Sequence, residues 1–147
     1  MNEIGLPELP NTRNMEVALK NNTQGFAQLF LLRGLYHERK GEIFRAIDEY
    51  DTALRINPGN AEILLTRGLA FSKKGALDQA IADFDEALRV DPTCVEALYA
   101  RGNAWEKKRR FDRAIQDYDV VLRLMPNHSQ ASISREHILS QGIPALS

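Results

Sequence analysis

Small, aromatic and apolar positions of this chain recur with a period of about 34 residues between positions 27 and 128. Shifting the sequence by one period places Gly34 on Gly68 and Gly102. Three further sets of positions recur in the same way: Ala46, Ala80 and Ala114; Tyr50, Phe84 and Tyr118; Pro58, Pro92 and Pro126. A period of this length indicates one supersecondary unit per repeat, which buries its apolar face by stacking on its neighbours.

Turn residues divide each unit into two predicted helices. Gly41 and Gly75 follow the first helix of their units, where a left-handed C-terminal cap favours glycine. Each second helix ends just before a proline, which cannot continue a helix. Arg109 stands where these glycines stand, which predicts strain of about 1 kcal/mol or a turn of another shape. Thr93 with Glu96 predicts a capping box at the start of the third unit.

This pattern resembles the tetratricopeptide repeat, a family whose unit is a pair of antiparallel helices in about 34 residues. The residues that carry the resemblance are Phe30, Gly34, His37, Ala46, Tyr50, Ala53 and Pro58; Leu64, Gly68, Phe71, Ala80, Phe84, Ala87 and Pro92; Leu98, Gly102, Trp105, Ala114, Tyr118, Val121 and Pro126. The resemblance implies an all-α, right-handed superhelical solenoid of three helix pairs plus a C-terminal capping helix. Because small residues let helices approach closely, Ala80 is expected to face Gly68 across the central pair.

The resemblance also divides the chain. The expected parts are a tail and short helix at 1–26, three repeats at 27–60, 61–94 and 95–128 (together 27–128), and a capping helix and tail at 129–147. The short helix is predicted over 12–21, with a break from Asn22 to Gly25, and the capping helix at about 129–141. Seven helices of repeat type and no strand are therefore expected.

Composition narrows the function only a little. The 147 residues suffice for one continuous core, and the net charge of −1 does not favour nucleic acid or an acidic membrane as partner. Cys94 is the only cysteine, so an intrachain disulfide is excluded and a reducing compartment fits. No apolar run approaches ~18 residues. We therefore expect a cytoplasmic protein without membrane contact.

Candidate catalytic chemistry is sparse. The three histidines have no metal-ligand spacing among themselves or with Cys94. His37 occupies the place of an inward-facing aromatic residue, and we interpret it as part of the core. No glycine-rich phosphate loop is present, since the glycines are spread one period apart. We predict no catalytic residue, no metal and no cofactor, and hence no enzyme.

Charged positions recur with the same period as the core. An arginine precedes the glycine position in each unit and in the cap: Arg33, Arg67, Arg101 and Arg135. An aspartate recurs just after the aromatic residue of each second helix. We predict that each aspartate pairs with the arginine of the next unit: Asp51–Arg67, Asp85–Arg101 and Asp119–Arg135. The alternative is solvated charge on helix surfaces, and such pairs are expected to set register more than stability.

The resemblance places the first helix of each unit along a concave groove. The groove residues that it implies are Leu31, Leu35, Leu65, Leu69, Tyr99, Asn103 and Ile133. Heat-shock chaperone adaptors of the family hold a C-terminal carboxylate with cations and asparagines, at places that are Leu31, Leu35, Thr66, Glu96 and Ala100 here. None of these five suits that use. An exposed apolar stripe marks an interaction site, whereas packing of the leucines against neighbouring first helices is the alternative.

The leading interpretation is a scaffold or adaptor that binds a peptide or helix of another protein in the groove. A small secretion-type or assembly chaperone is the first alternative. The second is an RNA-associated protein that uses a basic edge of the helix turns, formed by Arg39, Lys40, Lys73, Lys74 and 107–110, although the net charge of −1 does not favour nucleic acid as a partner. Self-association through the groove or the N-terminal segment stays open.

The part of the chain before Phe26 carries apolar side chains that have no place in the repeat pattern: Ile4, Leu6, Leu9, Met15, Val17 and Leu19. We predict that this segment, or an equivalent helix of another molecule, lies against the apolar stripe of the groove. The alternative is a disordered tail that leaves the groove open.

Overall fold

The computed structural model describes residues 22–142, in which all regular structure is helical. The seven helices are α1 (Thr23–Arg39), α2 (Ile43–Ile56), α3 (Ala61–Lys74), α4 (Leu77–Val90), α5 (Val95–Lys107), α6 (Phe111–Leu124) and α7 (Ser129–Ser140). Each helix packs on its neighbours in the chain, and α3 also contacts α5. The prediction of an all-α helical repeat is confirmed. The short helix expected over 12–21 lies outside the described residues.

Helix α1 begins earlier than the sequence suggested. Asn22 is its N-cap, and the Asn22 side chain accepts a hydrogen bond of 2.9 Å from the Gly25 backbone N–H. The predicted break from Asn22 to Gly25 is therefore wrong, because the asparagine starts a helix there instead of ending one. With 17 residues, α1 is about one turn longer at its N-terminus than α3 and α5.

The N-caps of α3, α5 and α7 lie one period apart, but their chemistry differs. The Asn60 side chain accepts from the Ile63 N–H and the His128 Nδ1 from the Ala131 N–H, each at 3.1 Å. At α5 the N-cap is Cys94, which makes no side-chain cap. The predicted capping box of Thr93 and Glu96 is wrong, because the Thr93 backbone and hydroxyl both donate to Asp91 and hold Thr93 in the preceding turn.

The turn within each helix pair has a left-handed residue at the same place. Gly41 and Gly75 have φ angles of 79° and 84°, and Arg109 has a φ angle of 59°. The third turn therefore keeps the shape of the other two at the expense of backbone strain. The Arg109 guanidinium lies over the Phe111 ring at 5.2 Å, which offsets part of that strain.

Each packing glycine accommodates an aromatic ring of the second helix. A Cβ added at Gly68 would lie 2.5 Å from the Phe84 ring, and one at Gly34 would lie 2.2 Å from the Tyr50 ring. The nearest side chain to this position of Gly68 is therefore Phe84, followed by Asp83; that Ala80 also faces Gly68 stays a prediction. Ala80 is fully buried in the same core. The large ring, not a second small residue, explains why the position is glycine.

Candidate functional site

The first helices α1, α3 and α5 form the floor of a groove that contains a pocket of about 380 Å³. The residues that line it are Leu35, Glu38, Thr66, Leu69, Ser72, Lys73, Ala100, Asn103, Ala104 and Lys107. Leu35 and Leu69 remain 43% and 40% exposed in this floor. Three of the seven groove residues implied by the sequence, Leu35, Leu69 and Asn103, thus lie together here.

The other four groove residues lie elsewhere, so the continuous stripe is wrong. Leu31 and Leu65 are only 2% and 8% exposed and belong to the hydrophobic core, because first helices pack against the helices beside them. The partly exposed Tyr99 ring lies beside the rings of Tyr118 and His128, with centroids 5.9 and 5.0 Å away. Ile133 is highly exposed on α7 and does not line the pocket.

Polar side chains along the groove are held from below by buried tyrosines. The Tyr50 hydroxyl donates to Glu38 at 2.6 Å, and Glu38 also pairs with Lys73 of the next first helix. The Tyr118 hydroxyl lies 2.7 Å from both the Glu106 carboxylate and the side-chain amide oxygen of Asn103. Burial and the adjacent carboxylate raise the pKa of both tyrosines, which therefore stay protonated donors. These contacts fix the rim of the groove in one geometry.

The sequence held a signal for these contacts that our reasoning missed. Units one and three have a glutamate at the groove position and a tyrosine twelve residues later. Unit two has Ser72 and Phe84 at the same two places, so the donor and the acceptor are lost together. When a residue changes from one repeat to the next together with a buried hydroxyl group, the two are expected to be in contact.

The structure brings together all three predicted pairs of arginine and aspartate. The Arg67 Nη1 donates to Asp51 at 2.8 Å, and the Arg101 Nη1 donates to Asp85 at 2.8 Å. The corresponding Arg135–Asp119 contact is 2.6 Å long and joins α7 to α6. Each pair joins the second helix of one unit to the first helix that follows it.

Arg67 and Arg101 each bind a second carboxylate, which the sequence analysis did not predict. Arg67 also donates two hydrogen bonds, of 2.8 and 2.7 Å, to the buried Asp83 of its own unit, and Arg101 bonds Asp117 in the same way. These bonds to Asp83 raise the pKa of Arg67, which keeps it charged. The signal was present, because Glu49, Asp83 and Asp117 recur one period apart. Arg67 and Arg101 thus each join two helices at once.

Several cations of the basic edge of the turns contact carboxylates or rings of the protein itself. Lys73 pairs with Glu38 and Lys108 with Asp78, while the Lys74 ammonium lies over the Phe44 ring at 4.5 Å. The two ion pairs reduce the positive charge that the edge presents to a partner, whereas the ring contact leaves the charge of Lys74 in place. Among residues 22–142 no group of three or more His, Cys, Asp or Glu could hold a metal ion. No helix in that part of the chain is both long and apolar enough to cross a membrane.

Comparison with known families identifies the repeat. A tetratricopeptide repeat model matches residues 65–129, and a TPR repeat model matches residues 34–75. The chain belongs to the tetratricopeptide repeat family. The resemblance noted in the sequence is confirmed, and this family is typically a protein-binding scaffold without enzymatic activity. No curated protein sequence matches the chain.

Solved tetratricopeptide repeat domains have the same fold. The first TPR of Spaghetti (RPAP3), bound to the HSP90 peptide SRMEEVD, has a TM-score of 0.77 and 24% identity, over 80% of this chain and 93% of that one. The Arabidopsis OM64 TPR domain has a TM-score of 0.76 and 24% identity, over 80% and 97%. The second TPR domain of human RPAP3, in complex with the HSP70 peptide SGPTIEEVD, has a TM-score of 0.70 and 26% identity, over 76% and 97%.

Proposed function

We propose that this chain is a non-enzymatic adaptor that binds a peptide or helix of another protein in the pocket between α1, α3 and α5. The observation that carries the proposal is the pair of exposed leucines, Leu35 and Leu69, in the floor of that pocket. Apolar side chains that lie together at the surface often mark an interaction site. The single cysteine agrees with a reducing, cytoplasmic place of action.

The chemistry of the pocket indicates what it would bind. Its volume of about 380 Å³ suits one or two large side chains, and burying a leucine-sized group contributes about 1.5–3 kcal/mol. The Asn103 side-chain amide lines the pocket and has two N–H groups that can donate to a ligand. Lys107 makes no ion pair within residues 22–142. An apolar side chain next to a carboxylate or carbonyl group therefore fits the pocket best.

The peptides bound by structural neighbours support peptide binding as a class, but not the same peptide. The five places that hold a carboxylate in chaperone adaptors are Leu31, Leu35, Thr66, Glu96 and Ala100 here. Leu31 and Ala100 are buried, and the exposed Glu96 would repel an acidic chain end. We expect this chain not to bind a fluorescently labelled SRMEEVD peptide. The fluorescence anisotropy of the peptide should not rise to a plateau when the chain is added. Saturable binding at micromolar concentrations of the chain would contradict that expectation.

The adaptor proposal is tested with two exposed leucines, one inside the pocket and one outside it. Leu69 lies in the groove at 40% exposure, and Leu124 lies at the end of α6 at 42% exposure. Proteins retained by the wild-type chain should also be retained by Leu124→Glu and lost with Leu69→Glu. Partners that persist with Leu69→Glu would place binding outside the groove. Binding that survives high salt would argue for the apolar groove, because phosphate binding weakens steeply with ionic strength.

The two alternative functions gain no specific support. The cations that an RNA-associated role would use are mostly paired with neighbouring carboxylates and rings, as the contacts of Lys73, Lys74 and Lys108 illustrate. A secretion-type or assembly chaperone would use the same groove as an adaptor. Only the identity of the retained proteins separates those two roles.

A further inference from the structure

One groove position carries a glutamate in the first and third units but not in the second. Glu38 and Glu106 are two periods apart, and Ser72 stands between them at the same place of unit two. Glu38 pairs with Lys73 of α3, and the Glu106 carboxylate lies 3.7 Å from the His137 Nδ1 of α7. In units one and three the groove carboxylate thus contacts a basic side chain of the first helix that follows.

Unit two breaks this pattern and leaves a lysine without its carboxylate. A shift of one period carries Glu38 to Ser72 and Lys73 to Lys107. Lys107 therefore stands where a lysine pairs with the glutamate of the preceding unit, but the side chain there is an uncharged serine. Lys107 is exposed, and within residues 22–142 it forms no ion pair. One cation of the groove thus lacks the partner that its repeat position implies.

The pocket between α1, α3 and α5 lies at this break. Both Ser72 and Lys107 line it. Because serine is much smaller than glutamate, it leaves open the space that a glutamate side chain fills in the other two units. Glu38 and Lys73, which also line the pocket, neutralise each other. The pocket therefore keeps the positive charge of Lys107 beside an unfilled space.

We propose that an aspartate or glutamate side chain of a partner protein completes this pair, with its carboxylate bound to Lys107 above Ser72. The inference rests on the proposed adaptor function and makes it more specific. The Ser72 hydroxyl and the side-chain amide of Asn103 line the same pocket and can donate hydrogen bonds to the carboxylate. Hydrogen bonds to a charged acceptor are stronger than those to a neutral one, so a carboxylate fits this place better than a backbone carbonyl.

The apolar floor of the pocket sets the spacing of the partner's side chains. Leu69 precedes Ser72 by three residues on α3, so the apolar floor and the open place lie about one helical turn apart on one face. A partner helix that carries an apolar residue and an acidic residue three or four positions apart has the same spacing. Its apolar side chain contacts Leu35 and Leu69 while its carboxylate reaches Lys107.

The charges at the two ends of the first helices favour the same placement. Glu96 lies in the first turn of α5 and Lys107 in its last turn; α3 repeats this order with Glu62 and Lys73. An acidic side chain is repelled at the first end and attracted at the second. Lys107 also lies at the opposite end of α5 from Glu96, which is one of the five places that hold a chain-end carboxylate in chaperone adaptors.

Selection of peptides tests whether the pocket requires an acid. The full chain serves as bait, because the expectation that the segment before Phe26 covers the groove lies outside the described residues and stays a prediction. The probe is a phage-displayed library of random peptides of about sixteen residues, which is about four helical turns, with their C-termini joined to the coat protein. Enriched peptides should carry Asp or Glu three or four positions from a leucine-like residue.

Two other outcomes separate this inference from the adaptor function. Enrichment of apolar peptides without an acid, lost with Leu69→Glu, would overturn the inference and leave the adaptor function standing. Enrichment of no peptide would overturn both.

Affinities of one enriched peptide, labelled and amidated at its C-terminus, locate the carboxylate. Replacing its acidic residue with the corresponding amide should weaken binding about tenfold. Lys107→Gln should weaken binding of the acidic peptide by a similar factor and leave the affinity of the amide version unchanged. Ser72→Glu, which supplies a carboxylate from the chain itself, should also weaken binding of the acidic peptide.

Lys74→Gln is the matched control, because it removes the same charge from the end of α3 without lining the pocket. It should leave both affinities unchanged. Equal losses with Lys107→Gln and Lys74→Gln would overturn the inference, as would an equal loss of the acidic and amide peptides with Lys107→Gln.

Discussion

Arg109 shows how a single residue bears the cost of keeping the repeat geometry. Its φ angle of 59° is one that glycine adopts readily and that side chains with a Cβ adopt at a cost of about 1–2 kcal/mol. The contact of its guanidinium with the Phe111 ring returns about 0.5–1 kcal/mol. The third turn is thus held in the common shape by the helices on either side of it, against the preference of its own residue.

We expect Arg109→Gly to raise the free energy of unfolding by about 0.5–1 kcal/mol, because the relieved strain exceeds the lost ring contact. Urea unfolding followed through Trp105 fluorescence would measure the change. The reverse change, Gly75→Arg, puts the same strain into the second turn and should lower stability by about 1 kcal/mol. A less stable Arg109→Gly variant would show that the arginine contributes more than its backbone costs.

The packing glycines allow a second prediction for single residues. Gly68→Ala should destabilise the protein by about 1–3 kcal/mol, because the new Cβ would lie 2.5 Å from the fully buried Phe84 ring. Gly59→Ala is the matched control, since nothing lies within 4 Å of a Cβ there and its φ angle is not left-handed. Similar melting temperatures for the two variants would mean that the Phe84 ring can move aside.

At the scale of helices, each of Arg67 and Arg101 binds one carboxylate of its own unit and one of the preceding unit, and the two carboxylates differ in burial. The Asp83 side chain is 7% exposed and receives two hydrogen bonds from Arg67, whereas the Asp51 side chain is 40% exposed and receives one. Loss of a buried partner leaves a shielded charge uncompensated, whereas loss of an exposed one is compensated by water. The bond within a unit should therefore matter more for stability than the bond between units.

We expect Asp83→Asn to lower the free energy of unfolding by about 3 kcal/mol and Asp51→Asn to lower it by less than about 1 kcal/mol. Both changes remove one carboxylate charge that faces Arg67. The two variants are isosteric with the wild-type residues, so packing stays matched. Calorimetric melting at low and high salt would measure the difference, and only the Asp51 effect should shrink with salt. Equal losses for the two variants would contradict the assignment of Asp83 as the stronger partner.

The sequence was sufficient for some helix contacts and insufficient for others. The repeat period predicted the helix order and the Asp51–Arg67 type of pair, because both recur strictly along the chain. It did not predict the burial of Leu31 and Leu65, because exposure depends on how closely the next unit approaches. It also missed the cap at Asn22, where α1 departs from the period. Contacts that do not recur carry no periodic signal.

For the whole molecule, the stacked units imply a gradient of stability along the array. Units in a solenoid contact mainly their immediate neighbours, so a unit with two neighbours is held more firmly than one with a single neighbour. Here the central pair α3 and α4 has a helix pair on each side, whereas within residues 22–142 α7 has helices on one side only. Amide hydrogen exchange should therefore be slowest in α3 and α4 and fastest in α7.

Ending the chain after His128 would test this gradient. Removal of α7 uncovers the surface of α6 that buries Ala131 and Ile138, and it deletes the Arg135–Asp119 bond. Exchange should accelerate strongly in α5 and α6 and little in α1 and α2, because coupling decays with each interface crossed. The control is Ile133→Ser, which changes an exposed residue of α7 and should leave the exchange of the first three pairs unaltered. Equal acceleration in all three pairs of the truncated chain would instead show that the array opens as one cooperative unit, and the pocket between α1, α3 and α5 that we propose as the binding site would then depend on every unit alike.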